Sequence, residues 1–192
     1  MNDSTELVII IDRSGSMHPL KNDVIGGFNA LIDGMKKEGE TKVTTIFFSS
    51  SATYVHEGVD IKDVAPLTEK DYIPGGSTAL LDAVGDAIAF IKSKHAKLKA
   101  EELPAHVIFS IMTDGMENAS MEYTYPQIHD IIEFQKKCGW EFLFQAANID
   151  VAKESSRLGI DNAFSFAPTK DGIFRSMCTT MSFVVSAKKR KE

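Results

Sequence analysis

The stretch Val8-Ile9-Ile10-Ile11-Asp12-Arg13-Ser14-Gly15-Ser16-Met17 changes character in its middle. Residues 7–11 are an uninterrupted apolar run rich in β-branched side chains, as expected for a parallel strand buried on both faces. The run ends in a carboxylate, and hydroxyls follow at alternate positions. An ionised carboxylate at the end of a buried strand needs partners. Alternate residues of an extended turn point to one side, so the spacing aims Asp12, Ser14 and Ser16 at a common point. Gly15 is read as the residue that lets this loop bend tightly.

Working outward, short apolar runs alternate with longer segments of 3.6-residue period, the pattern of βαβ architecture. Val24, Ile25, Phe28, Leu31, Ile32 and Met35 make a helical face that ends near Gly39. Residues 42–48 read as a second strand and 53–56 as a third. The connection between them is so short that only antiparallel pairing is allowed. Residues 58–76 are the least regular, and Pro74-Gly75-Gly76 marks a turn. Leu80, Leu81, Val84, Ala87, Ile88 and Ile91 give a clear helical face. Strands are expected at 107–112, 142–147 and 163–166, and helices at 125–138, 151–158 and 173–187. The order β-α-β-β-α-β-α-β-α-β-α predicts an α/β fold. Its sheet is doubly wound, six-stranded and mostly parallel, with one antiparallel edge strand and helices on both faces. Ligands of such sheets bind beyond the carboxyl ends of the strands, where the strand order reverses.

The bulk properties agree. A chain of 192 residues suits a single domain, with a core over about 6–187 and a basic tail at 188–192. Its net charge of -6 argues against nucleic acid, whose phosphates demand a basic face. No segment approaches the roughly 20 apolar residues of a membrane helix, and the run 7–11 is too short for a signal-peptide core. Cys138 and Cys178 have neither metal-like nor disulfide-framework spacing and read as reduced, buried thiols. These features point to the cytoplasm.

Three polar clusters fall at strand ends or just before a helix: Asp12, Ser14 and Ser16; Gly75 to Thr78; and Thr113, Asp114 and Gly115. Asp12 and Asp114 would repel one another if brought together, and a divalent cation between them removes the difficulty. The hydroxyls of Ser14, Ser16 and Thr78 are hard donors suited to Mg²⁺ or Mn²⁺. An EF-hand loop needs Gly at its sixth position and Glu at its twelfth, where this chain has Met17 and Asp23. An aspartyl-phosphate phosphatase would usually want a second Asp where Ser14 stands. There is no phosphate-binding P-loop and no G-x-S-x-G elbow. A plainer reading makes Ser14, Ser16 and Thr78 helix caps; three clusters in this order make it the minority reading.

Residues 8–17 resemble the D-x-S-x-S signature of von Willebrand factor A domains. Gly76-Ser77-Thr78 resembles that family's second loop, and Met112-Thr113-Asp114-Gly115 its third. The resemblance spans about 7–187 and implies a Rossmann-like fold carrying a metal-ion-dependent adhesion site on Asp12, Ser14, Ser16, Thr78 and Asp114. In that family the hydroxyls contact the metal, the aspartates often act through water, and a partner's carboxylate fills an open coordination position. The expected cation is Mg²⁺, with Mn²⁺ or Ca²⁺ as alternatives. The chain is most similar to stand-alone bacterial or phage members, including those of tellurium-resistance-type operons, and lacks the disulfides of extracellular relatives.

The resulting expectation is a non-enzymatic module that docks an Asp or Glu of a partner protein through the cation. A Mg²⁺-dependent phosphohydrolase is the first alternative, weakened because no His or Lys is placed by motif as a general base. A scaffold whose metal only ties three loops together is the second. His18 reads as a solvated loop residue, Glu117 and Asn118 as rim or turn residues, and Asn148 and Asp150 as neighbours on the same sheet edge, Asp150 capping a helix. Residues 92–99 read as a solvated helix end, and Lys188-Lys189-Arg190-Lys191 as a frayed terminus.

Overall fold

The computed structural model describes residues 4–190. All eight residues of β1 (Thr5–Asp12) are buried. Alternation on the strand splits their side chains between two apolar layers. Leu7, Ile9 and Ile11 join one with residues of α1 (Lys21–Met35) and α5 (Lys170–Lys189). Val8 and Ile10 join the other with residues of α2 (Leu80–His95), α3 (Tyr125–Lys137) and α4 (Val151–Leu158). A strand covered on both faces has no polar side, which is why its sequence is continuously apolar.

The remaining strands are β2 (Thr41–Phe48), β3 (Ala52–Asp60), β4 (His106–Thr113), β5 (Glu141–Ala146) and β6 (Asn162–Ser165). The sheet order is β3-β2-β1-β4-β5-β6, parallel except for the β2–β3 pair. The six strands, the order of elements along the chain and the antiparallel edge agree with the sequence-based expectation. The order reverses between β1 and β4, so the crevice predicted to hold a ligand lies at their carboxyl ends.

Three details differ from expectation. β3 runs past residue 56 to Asp60 because its register shifts there: Gly58 takes a φ of +67° and donates its N–H to the Thr44 hydroxyl. A bulge carries the strand through the glycine that reads as a break. The cysteines are free, but Cys138 is exposed just beyond α3 and Cys178 is half-buried on α5. The basic tail is partly tied down. Lys188 belongs to α5 and donates to the Glu38 carbonyl (2.6 Å) and Thr41 hydroxyl, and Arg190 pairs with Glu141; Lys191 lies outside the described residues. The inner face of α5 also carries polar side chains. Ser176 and Thr180 hydrogen-bond to Gln145 of β5 (both 2.9 Å), and Thr180 also meets Ser110 of β4 at 2.8 Å, so the helix is keyed to the sheet through satisfied polar groups. Among the described residues no helix is long and apolar enough to cross a membrane.

Backbone proximity sets the tightest packing constraint. A Cβ at Gly172, in the first turn of α5, would stand 1.9 Å from the Ala167 carbonyl oxygen, whereas one at Gly26, on the open side of α1, meets nothing within 4 Å. Gly172→Ala is expected to destabilise the protein by about 1–3 kcal/mol, and Gly26→Ala to stabilise it by about 0.5–1 kcal/mol. Urea unfolding of the two variants checks both; equal stabilities would refute the packing account.

A charge is buried at the opposite end of the sheet from the crevice. Glu6 accepts from Lys94 Nζ and from the Thr44 hydroxyl (both 3.2 Å), with His95 Nε2 4.0 Å away. Burial pushes its carboxyl up, but the His95 ring and the Lys94 ammonium outweigh that and hold it below its ordinary value. The unfolded chain therefore binds this proton more readily. Glu6 contributes stability above the ordinary glutamate pKa, and that contribution is lost as the pH falls through the lowered folded value. Glu6→Gln should unfold at lower urea than the parent at pH 7, with the gap closing in the acid range. A gap independent of pH would show that the charge is not what matters.

Candidate metal centre

Asp12 is the last residue of β1, and its carboxylate is held before any cation is considered. Oδ1 accepts the Ser14 backbone N–H at 2.7 Å, and Oδ2 accepts the Thr113 hydroxyl at 2.6 Å. Asp114 follows β4, the next strand. The two acids are joined by hydroxyls: Ser14 Oγ lies 3.0 Å from Ser16 Oγ, which donates to Asp114 Oδ1 at 2.5 Å. Asp12, Ser14, Thr78 and Asp114 are all buried, while Ser16 is exposed, so the cluster opens to solvent on the Ser16 side.

The second loop is fastened to the first by backbone. Gly15 donates to the Gly76 carbonyl (3.0 Å) and Gly75 to the Arg13 carbonyl (2.8 Å). The conformational need for glycine falls on Gly76, with a φ of +84°, and not on Gly15, where an added Cβ would make only an ordinary 3.6 Å contact. The third loop is fastened to the second. Asn118 Oδ1 accepts the Thr78 N–H at 2.9 Å, and the Asn118 N–H returns to the Thr78 carbonyl at 3.0 Å. All five predicted site residues therefore sit on three cross-linked loops at the switch point.

The helix-cap reading of the hydroxyls fails. Ser14 precedes a short 3₁₀ turn (Gly15–Leu20) without capping it, and Ser16 is engaged with Asp114. The start of α2 is capped from the third loop instead: Leu81 N–H donates to Glu117 and Asp82 N–H to Ser120. Glu117 also accepts from Ala119 and Ser120, so it shapes the loop as much as it caps the helix. Asp150 does cap α4, through Lys153 N–H. Asn148, just beyond β5 at a φ of +59°, donates to the Asp114 carbonyl (3.3 Å) and supports the third loop. His18 is exposed on the 3₁₀ turn.

Three supporting residues escape sequence reasoning. Thr113 lies within a recognised cluster, but its bond to Asp12 depends on β1 and β4 being neighbours. Asn118 reads equally well as a turn residue. Tyr72, fully buried in an otherwise irregular segment, donates its hydroxyl to the Asp12 carbonyl, and nothing in its local sequence signals this.

The electrostatics are those of an uncompensated anionic cluster. None of the ion pairs among the described residues includes Asp12 or Asp114. Burial pushes the Asp12 carboxyl above its ordinary value. The Thr113 and Ser14 hydrogen bonds oppose that rise, and the nearby Asp114 charge adds to it. Among the described residues no three His, Cys, Asp or Glu side chains form a metal-holding group. The five residues offer two carboxylates and three hydroxyls, a donor set of hard oxygens that fits a small hard divalent ion. A cavity of about 280 Å³ opens elsewhere, beside the start of α5, and none of the five residues lines it.

Neither protein-family models nor curated protein sequences gave a match to this chain. Solved structures did. The chain is similar to the PilB minor pilin from Streptococcus sanguinis (TM-score 0.71, 13% identity, covering 96% of this chain and 61% of that one). It is similar to proximal thread matrix protein 1 from the mussel byssus, solved with a zinc-occupied metal-ion-dependent adhesion site (0.64, 17%, 95% and 46%). It is also similar to the von Willebrand factor domain of the type V pili tip protein Mfa5 from Porphyromonas gingivalis (0.69, 10%, 96% and 96%). The chain has a von Willebrand factor A-type fold. At these identities the likeness carries the fold alone, and the chain spans about half to three-fifths of the first two proteins. Within this A-type fold the Asp12 cluster lies at the sheet's switch point, and the geometry above stands on this chain's own residues.

If Thr113 is what keeps Asp12 satisfied, Thr113→Val leaves a buried carboxylate oxygen without its donor. A loss of about 1–3 kcal/mol is expected in urea unfolding with chelator present. An unchanged midpoint would mean that water replaces the hydroxyl.

Proposed function

We propose that this A-type domain is a metal-dependent docking module, in which a divalent cation held by Asp12, Ser14, Ser16, Thr78 and Asp114 receives an acidic side chain from a partner protein. The observation that carries this reading is the pair of buried carboxylates at neighbouring strand ends, linked by hydroxyls and matched by no basic side chain. Like charges so placed repel one another, and a divalent ion supplies the missing positive charge. Mg²⁺ suits the oxygen donors best, with Mn²⁺ and Ca²⁺ close to it in chemistry. Once bound, the ion would leave positive charge facing solvent on the open Ser16 side, where an Asp or Glu can complete its shell. The similar pilin and pilus-tip domains, and the zinc-bearing byssus protein, support a metal-dependent interaction role.

We read the cluster as a docking point and not a reaction centre. The groups around Asp12 are hydroxyls and a backbone N–H, and His18 is exposed on its turn with no hydrogen bond to any of the five residues among the described ones. The resemblance to stand-alone bacterial or phage proteins, including those of tellurium-resistance-type operons, makes an intracellular role part of this proposal.

Calorimetric titration with Mg²⁺ and Mn²⁺ tests the metal. The parent is expected to bind one equivalent and to gain about 2.7 kcal/mol of stability at a hundredfold excess over Kd. Asp12→Ala and Asp114→Ala should show neither effect. A parent that binds no divalent ion, or a partner retained equally in chelator, would defeat the proposal.

A further inference from the structure

Three large exposed apolar side chains lie on the loops that carry the cluster. Ile73 is 61% exposed, Met116 61% and Met121 94%. Ile73 lies two residues before Gly75, whose N–H is held by Arg13 on the first loop. Met116 lies two residues after Asp114 and directly before Glu117, whose carboxylate fastens the third loop to α2. Both are thus displayed on backbone that is pinned close to the proposed cation. Exposed apolar side chains beside a site offer area that a docked segment can cover, and a methionine thioether adapts to what it meets.

The charges on these loops narrow what can sit there. Across residues 12–20, 71–79 and 113–124 the only Lys or Arg is Arg13. Its guanidinium donates to Thr53 of β3 (2.9 Å). The other charged side chains at hand are acidic, Glu117 and Glu122 among them, in a protein of net charge -6. A first carboxylate would find the cation, but a second would meet loops on which Arg13 is outnumbered by acidic side chains. We propose that the partner segment is a single acidic residue flanked by apolar side chains, with the carboxylate on the cation and the flanks packed on Ile73 and Met116, and not a polyacidic stretch. This rests on the docking reading above.

The test uses the Mg²⁺-loaded protein and four labelled peptides of equal length, followed by fluorescence anisotropy. One peptide has a central Asp between leucines, and a second has the same Asp between serines. A third carries four consecutive Asp between serines, and the fourth replaces the Asp of the first by Asn. The leucine-flanked Asp peptide is expected to bind about tenfold or more tightly than either serine-flanked peptide, and the Asn peptide not to bind. Ile73→Ser and Met116→Ser should erase most of that preference while leaving Mg²⁺ affinity and the melting temperature unchanged. Acid-dependent binding with no preference for apolar flanks, with a preference for the polyacidic peptide, or with a preference untouched by both variants overturns this inference and spares the docking reading. If no peptide binds in an acid- and metal-dependent way, the docking reading falls and this inference falls with it.

Discussion

Two carboxylates at the ends of adjacent parallel strands repel each other, and burial makes Asp12 harder to ionise. The rest of the crevice is arranged around that fact. Asp12 is placed by β1, a strand fully buried on both faces, and the aspartate inherits that burial. Asp114 follows the next strand in the sheet. Hydroxyls and a backbone N–H partly offset the repulsion, but none of them brings a positive charge. The site is therefore poised for a cation by its electrostatics as well as by its donor chemistry.

Preorganisation comes from the loops binding one another. Backbone bonds tie the first loop to the second, the Asn118 side chain and backbone tie the second to the third, and Asn148, just beyond β5, supports the third. Tyr72 closes the underside by donating to the Asp12 carbonyl. Each tie satisfies a polar group that burial would otherwise leave costly. The same contacts hold the ligand set in shape, so a cation would not have to order three mobile segments before binding.

Beyond the cluster, the molecule keeps its charges apart. Glu6 is buried too, but at the opposite end of the sheet and against Lys94 and His95, which lower its pKa where Asp12's is raised. The contrast shows what partners do to a buried carboxylate: one acid is neutralised within the fold, and the other is left for something outside it. The polar seam under α5 is a third arrangement, in which Gln145, Ser176, Thr180 and Ser110 satisfy one another without any charge.

Much of this could be read from the chain. Hydrophobic periodicity determined the number, kind and order of the elements, because strand and helix periods are local properties of side-chain spacing. The continuous apolar run of β1 and the carboxylate that ends it located the site. Local spacing could not reveal which distant residues would meet. That Thr113 holds Asp12, that Asn118 and not a cap holds Thr78, that Tyr72 reaches beneath the first loop, and that Gly76 and not Gly15 needs a left-handed backbone all follow from strand adjacency and loop packing. The bulge at Gly58 and the anchoring of Lys188 and Arg190 have the same origin. The elements and the donor atoms are legible in the chain, since both are encoded within a few residues. The tertiary structure alone decided how those donors are held and what surrounds them, because these contacts join positions tens of residues apart.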